Sequence, residues 1–586
     1  MLNAGGHTEL LPDDEGMIIA GSIMPYTMSG RGAPLQVTAL VVEGDVRVAL
    51  VSCDVIALTR DLCDRASARI EAATGIPADH VLVAATHTHS APTTISVHGY
   101  EREDRFCVGV EDTIVRAVAG ACETLSEVEF VFGQGWEDTV PKNSRIVLTD
   151  GSIAWSGYDR GMEVRPTAPI DPSLAVVGFR KPEGAWAGLA FNHTCHNLSR
   201  GGAPGRSPEF YGLAAQALAR PLRAPTVFLN GAFGSTHNLE VPRSEAAERV
   251  RRAVLDALDR SREGLFGPVQ SVKRQFSFQV RRFDEEAEAA AVHAWCGRWF
   301  KDAGDVEAVF RAQRASLRPY MGVTRTTWLH GIAFGDVALL GVPGELFTAL
   351  GLEIKRRSPF RHTLVVGLAN DWIGYIPTTA DFDRGGYQVW TGLHSLVERG
   401  TGEQMVDAAV EILREMVRGF TGEAAPGGTV VLRRARVGDA PELQRFYNGL
   451  SRASRRTFRP LGWNATMNPC EEVVAGNTSE PETRFDLFAV EGSRMVGWGF
   501  VSGLDKDVPG FGLGVADDHQ GRGLGRRLMA AVMEECRQRG KVGIELCVVQ
   551  DNERAWKLYE SFGFRRIGTH RGSDGLEYLD MRVEFG

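Results

Sequence analysis

The chain has 586 residues, a net charge of −9, 43% apolar and 24% charged residues. That length exceeds what one hydrophobic core holds, so two or three domains are expected, and the apolar-to-charged balance excludes a disordered chain. Scattered Lys and Arg leave no basic stripe for nucleic acid or an anionic membrane, and no segment is long and apolar enough to span a bilayer.

Nine cysteines without a Cys-x-x-Cys pair fit reduced thiols. The first thirty residues hold Asp13, Asp14 and Glu15 and no basic stretch followed by a long apolar run, which argues against a secretory signal. A cytoplasmic enzyme acting on small molecules is expected, and self-association is left open.

In chain order, Val37 to Val42, Val46 to Val51 and His80 to Ala85 are short, Val- and Leu-rich runs that predict strands, with a helix over Leu62 to Thr74. The class is therefore α/β or mixed α+β. Thr86-His87-Thr88-His89-Ser90-Ala-Pro92 follows the third strand; histidines at i and i+2 on a strand end share a side, a spacing used for metal or proton work. Alone, such a pair is as often a pair of surface histidines. A second cluster, Phe191-Asn-His-Thr-Cys-His196, follows the apolar run Trp186 to Phe191. Asp284 to Leu317, rich in Ala, Glu and Arg, predicts helix, with Trp295, Trp299 and Phe300 as core residues and the lining of a substrate mouth as the alternative. Trp328 to Gly341 reads as strand, Val342-Pro-Gly-Glu345 precedes a helix, and Asn370-Asp-Trp-Ile-Gly-Tyr375-Ile-Pro-Thr comes after it. His98, His293, His330, His362, His394 and His570 have no partner spacing and read as surface or core residues.

Taken together, these segments resemble the neutral (non-lysosomal) ceramidase family of metal-dependent amidases, from about residue 17 to residue 400. The resemblance implies zinc ligands at His87, His196, Glu345 and Tyr375. It places His89 as an outer or proton-handling group, and Arg145 of Asn143-Ser-Arg as a substrate-binding cation. Two imidazoles, a carboxylate and a phenolate suit Zn²⁺ and water activation for attack on an amide. The sequence departs from the family where Leu229-Asn-Gly-Ala-Phe-Gly234 continues as Ser235-Thr-His237-Asn238 without the usual Asp and Pro, leaving His237 as a polar replacement that could join the site. His193 and Asn197 replace the usual neighbours of His196, and the family's secretion signal and extra β-sandwich are missing, so a small soluble amide is expected rather than a membrane sphingolipid.

Glu403 to Phe420 predicts an amphipathic helix, and Gly422-Glu-Ala-Ala-Pro-Gly-Gly428 is the linker candidate, giving domains 1–423 and 428–586. In the second domain a strand ends at Phe511-Gly-Leu-Gly-Val515. The turn Gln520-Gly521-Arg522-Gly523-Leu524-Gly525 then opens a helix whose Leu524, Leu528, Val532 and Cys536 recur at fourth-residue spacing. Bare N–H groups at a helix start make a pyrophosphate cradle. The arrangement resembles the GNAT acyltransferase superfamily over 429–583, with Ile544 to Val548 as the next strand, then Asn552, Tyr559 and Gly563-Phe564. The resemblance implies acetyl-CoA held by Val515, Gln520 to Gly525 and Asn552, with Tyr559 as general acid for the leaving thiolate. A packed helix aromatic is the plain alternative for Tyr559, and the base is either Glu545 or water.

The expectation is a bifunctional enzyme: a zinc amidohydrolase handling a small amide or amine, fused to an N-acetyltransferase that uses acetyl-CoA. Two alternatives stand beside it: a non-catalytic binding or oligomerisation platform ahead of the transferase, and a metal-dependent amide synthase running hydrolysis backwards.

Overall fold

The structure is a computed structural model. It describes residues 2–585 apart from 13–15, 31, 155–159, 200–204, 239, 264–268, 300–302, 421–429, 436–438, 478–481, 492–493 and 573. The chain divides into two compact units, Met1–Met416 and Val417–Gly586. The linker expected at 422–428 lies outside the described residues.

The first unit is built on three sheets. Strand β1 (Asn3–Leu10) pairs with β2 (Gln36–Glu43), which continues antiparallel to β3 (Arg47–Cys53). Helix α1 (Arg60–Thr74) then carries the chain to β4 (Val81–Ala85), parallel to β3. Helix α2 (Asp104–Glu123) packs with α1 on one face of this sheet, where Leu62, Ile70, Phe106, Val110 and Ile114 meet Val37, Val51 and Val83. In the second sheet β5 (Glu129–Trp136), β6 (Ser173–Arg180) and β7 (Trp186–His193) run antiparallel. Helix α3 (Glu209–Leu222) leads into β8 (Thr226–Asn230), parallel to β7, and α4 (Arg243–Asp259) joins α3 on the outer face.

The third sheet holds β9 (Val269–Gln279), then, after helices α5 (Glu285–Trp299) and α6 (Ala303–Leu317), β10 (Thr324–Phe334) and β11 (Val337–Gly341). Helix α7 (Thr348–Arg357) crosses to β12 (His362–Val366), parallel to β11. Leu40, Leu50 and Leu82 of the first sheet, Phe179 and Leu229 of the second, and Ile332, Leu339 and Leu364 of the third share one buried core. The three sheets are thus layered around that core with helices outside. Helix α8 (Thr401–Phe420) lays Ile412 and Met416 against Gly331 of β10.

Two expectations change. Trp328 to Gly341 is not one strand but the hairpin β10–β11, because Gly335 takes φ 58° and starts a tight turn at Gly335-Asp336. The helical stretch 284–317 is α5 and α6, with Trp295 buried against Phe310 and Trp390; the side chains of Trp299 and Phe300 lie outside the described residues.

The second unit is a seven-stranded sheet. Its elements are β13 (Val431–Arg434), α9 (Ala440–Gly449), α10 (Arg452–Thr457), a further helix at Met467–Ala475, the hairpin β14 (Arg484–Glu491) and β15 (Arg494–Ser502), and β16 (Gly510–Val515). Then follow α11 (Leu524–Gln538), β17 (Gly543–Val549), α12 (Glu553–Glu560), β18 (Arg565–Arg571) and β19 (Glu577–Glu584). The order is β13-β14-β15-β16-β17-β19-β18, and Leu528 and Val532 of α11 pack under Gly497 and Gly499 of β15. Between β16 and β17 the register contains one pair, Gly510 with Glu545, after which the two parallel strands splay apart.

Candidate functional sites

The candidate metal site of the first unit sits where the parallel pairs β3/β4, β7/β8 and β11/β12 end. His87 follows β4, His196 follows β7, Glu345 follows β11 and Tyr375 lies in the loop beyond β12. All four stand past carboxyl ends of strands, the usual position for a ligand crevice in α/β sheets. Their separation in sequence disappears because the sheets share one core.

The geometry is convergent. Glu345 Oε2 lies 3.7 Å from His87 Nε2 and 3.3 Å from His196 Nε2. Glu345 pairs with Tyr375 as neighbouring parallel strands, and Tyr375 Oη donates to His196 Nε2 at 3.3 Å. His89 also faces inward: one ring nitrogen from each of His87, His89 and His196 falls within 4.8 Å of the others. Each imidazole uses Nδ1 to donate to a backbone carbonyl, His87 to Ile56 (2.7 Å), His89 to Gly21 (3.1 Å) and His196 to Phe233 (3.4 Å). This fixes the tautomer and leaves every Nε2 lone pair aimed at the centre. Burial pushes all three imidazoles down from their ordinary range, so they remain neutral.

Trp372 Nε1 donates to Glu345 Oε1 at 3.2 Å, turning Oε2 toward the histidines. His87 Nε2, His89 Nε2 and Glu345 Oε2 are buried without a hydrogen-bond partner. Buried polar atoms are ordinarily satisfied. Three acceptors facing one another without a donor between them fit a cation, and imidazole with carboxylate is a donor set that suits zinc. His87 adopts φ 63°, a costly conformation for a non-glycine residue that is held where structure over-determines it.

Not every expected residue takes the place foreseen for it. His89 is as close to the centre as the implied ligands. Arg145, expected to meet substrate, is fully buried; its guanidinium donates to Asp381 Oδ1 (3.3 Å), Gln388 Oε1 (3.0 Å) and the Gly385 carbonyl (2.6 Å). It ties the 381–388 segment in place rather than offering an open cation. His237 does join the site, its ring stacked on His196 with centroids 3.6 Å apart. The loop passes close behind Glu345: at Gly234 a Cβ would collide with the Glu345 carbonyl oxygen, and Gly234 N–H donates to the Leu346 carbonyl. His193 is occupied elsewhere, with Tyr211 Oη 2.7 Å from Nδ1 and the Glu137 carbonyl 2.9 Å from Nε2, while Asn197 accepts from Tyr211 N–H and donates to the Pro208 carbonyl.

Sequence reasoning missed Trp372, whose signal was its place between Asn370 and Tyr375. It also missed the pairing of His98 and His394, distant in sequence but packed 5.1 Å apart around Tyr387.

In the second unit a cleft of about 880 Å³ lies at the end of β16. Val515, Gln520, Gly521, Gly523, Leu524 and Gly525 line it on one side, with Asn552 and Tyr559 of the α12 segment also on its wall. Gly521 and Gly523 take φ 82° and 80°, so the turn bends tightly into the start of α11 and leaves amides uncovered. Gln520 Nε2 donates to the Val515 carbonyl and to Ser454 Oγ, both at 3.1 Å, locking the turn to α10. Asn552 caps α12 by accepting from Ala555 N–H at 3.3 Å. The Arg522 side chain is exposed and off the cleft wall, so this residue offers its backbone alone. Tyr559 is 7% exposed and burial pushes its phenol up, which keeps it protonated. Glu545 lies exposed on β17, outside the cleft lining. Arg456, Arg526, Arg554 and Lys557 add positive charge to the walls, a feature spread over three elements and invisible to motif reading.

The acetyltransferase (GNAT) family model matches residues 450–564. The chain is 30% identical to the ribosomal protein bS18-alanine N-acetyltransferase of Escherichia coli over 111 residues, 18% of this chain and 74% of that protein. It is 38% identical to N-alpha-acetyltransferase RimI of Mycobacterium tuberculosis over 105 residues, 17% of this chain and 65% of that protein. Through this region the chain belongs to the GNAT acetyltransferase family. It spans 65%, 44% and 26% of the length of the first three curated acetyltransferases it matches.

The remainder matches the neutral ceramidase of Pseudomonas aeruginosa, 21% identical over 459 residues, 65% of this chain and 67% of that protein. The crystal structure of that enzyme aligns with a TM-score of 0.56 at 18% identity over 71% of this chain and 75% of its own, which shows a shared fold.

Proposed function

We propose that the chain is a bifunctional enzyme: the first unit a zinc-dependent amidohydrolase acting on a small N-acyl compound, the second an N-acetyltransferase that moves acetyl from acetyl-CoA to a small amine. The observation that carries the hydrolase half is the set of three buried, unpartnered acceptors, His87 Nε2, His89 Nε2 and Glu345 Oε2, facing one another at the strand ends. His87 and Glu345 with His196 and Tyr375 would hold the metal, which when bound supplies Lewis acidity to polarise an amide carbonyl and activate water. The Ile56, Gly21 and Phe233 carbonyls orient the imidazoles, Trp372 orients Glu345, and His89 is placed to carry a proton from water to the departing amine nitrogen.

In the second unit the amides of Gln520 to Gly525 and the cationic walls suit the phosphates of acetyl-CoA. The acceptor nitrogen attacks the thioester carbonyl, the C–S bond breaks, and Tyr559 gives its proton to the leaving sulfur while the amine proton passes to water. Fusion of the two activities favours a shared small amine, freed by one unit and capped by the other.

Metal analysis of the intact protein beside His87→Ala and Glu345→Ala tests the first half. About one zinc per chain is expected in the wild type and almost none in either variant. No zinc in the wild type after loading would return the first unit to a binding platform. For the second half, thiol release from acetyl-CoA in the presence of amines is expected, and failure of acetyl-CoA to bind would sink it.

A further inference from the structure

Beside the acetyl-CoA cleft lies a second recess of about 420 Å³, lined by Arg452, Ala453, Arg456, Arg459, Trp463, Asp574 and Leu576. Ala453 and Arg456 of α10 also line the cofactor cleft, so the short helix is a wall common to both cavities. The far side of the recess is the turn between β18 and β19.

The recess is cationic, with three guanidinium groups against one carboxylate. Two of the three are already held. Arg456 makes a bidentate ion pair with Asp551, at 2.6 and 3.0 Å. Arg459 is ion-paired with Asp574 and donates to Tyr578 Oη at 3.2 Å, while its guanidinium lies 5.0 Å from the Trp463 ring centroid. Arg455 donates to the Trp463 carbonyl at 2.9 Å and so fixes the loop that presents the indole, which is 49% exposed. Arg452 is exposed and makes no ion pair or hydrogen bond among the described residues. One uncompensated guanidinium therefore stands in a concave site whose other charges are pre-oriented by their own partners, an arrangement that recognises an anionic group.

We propose that this recess is the acceptor subsite of the transferase and that the amine it acetylates carries an anionic group, a carboxylate or a phosphate, held by Arg452 with Trp463 flanking it. The proposal rests on the acetyltransferase reading of the second unit. It narrows the acceptor from any amine to an acidic one, and it assigns to Arg452 a role in specificity rather than in chemistry.

Binding to the intact protein saturated with acetyl-CoA tests it, followed by tryptophan fluorescence and by thiol release. The probes are L-glutamate, O-phosphoserine, L-glutaminamide and L-lysinamide. Glutamate or O-phosphoserine is expected to bind at least about tenfold more tightly than either amide, and the tighter of the two acids distinguishes carboxylate from phosphate recognition. Arg452→Glu is expected to reduce that preference to within about twofold with an unchanged Kd for acetyl-CoA, and Arg452→Lys to retain most of it.

Equal or tighter binding of either amide probe, or no binding of either acid, overturns the proposal. So does weakened acetyl-CoA binding in Arg452→Glu, which would reassign the arginine to the cofactor's phosphates. Loss of acetyl-CoA binding in the wild type would instead defeat the transferase reading, and the anion preference is read by binding in either case.

Discussion

The two units build their sites in opposite ways. In the second, the recognition surface is a single turn, Gln520 to Gly525, whose backbone amides are uncovered by glycines at φ 82° and 80°. In the first, it is a set of side chains from loops following three sheets, His87, His196, Glu345 and Tyr375, with no two in the same element. A backbone site is encoded locally and tolerates change elsewhere. A side-chain site depends on remote packing and on the groups that aim each donor. The difference teaches that the metal site should respond to substitutions well away from it, and the cofactor cleft chiefly to substitutions in its own turn.

The largest effect expected from this contrast is in the scaffold under His87. Asp54, at the end of β3, accepts from Thr86 Oγ1 (3.2 Å) and Gln36 N–H (2.9 Å), and burial raises its carboxyl to about 7 from an ordinary 3.8. A carboxyl raised in the folded state contributes stability that is complete below the unfolded value and is lost as pH climbs through the folded one. The first unit is therefore expected to lose up to about 4 kcal/mol between pH ~4 and ~7, while Asp54→Asn flattens that window. Thermal melts of both proteins across the range check it, and parallel slopes would remove Asp54 from the account.

Next in size, Tyr559→Phe is expected to slow thiol release about 10²-fold or more with an unchanged Kd for acetyl-CoA, since a positioned acid acts on the rate and not on cofactor binding. Trp372→Phe removes the donor to Glu345 Oε1 and is expected to weaken zinc binding about 10- to 100-fold, measured by competition with a chelator, leaving acetyl-CoA affinity untouched. An effect on both ligands would break the contrast between remote and local encoding. The smallest is Gly523→Ala, in which a Cβ at φ 80° costs about 1–2 kcal/mol. About a tenfold loss of acetyl-CoA affinity is expected, with zinc content unchanged.

The same contrast explains what could be read from the residues alone. Strands β2, β3 and β4 and helix α1 were legible because apolar period and length coincide there. The cofactor turn was legible because glycine spacing, the preceding strand and the following helix lie within thirty residues. In the first unit the motifs named His87, His196, Glu345 and Tyr375, but not what orients them: the carbonyls of Ile56, Gly21 and Phe233 carry no sequence signature. The Gly335-Asp336 turn hid inside an apolar run, and Arg145 gave no sign that Asp381 and Gln388, more than two hundred residues on, would enclose it.

The gathering of donors from residue 87 to residue 375 also bears on how the first unit is made. Ring closure over such a span is slow and entropically costly, and here two closures must be complete before His87, His196 and Glu345 can meet. The proposed metal site is therefore expected to form at the end of the folding reaction rather than to seed it. Metal uptake by a nascent or refolding chain would report that every sheet has docked.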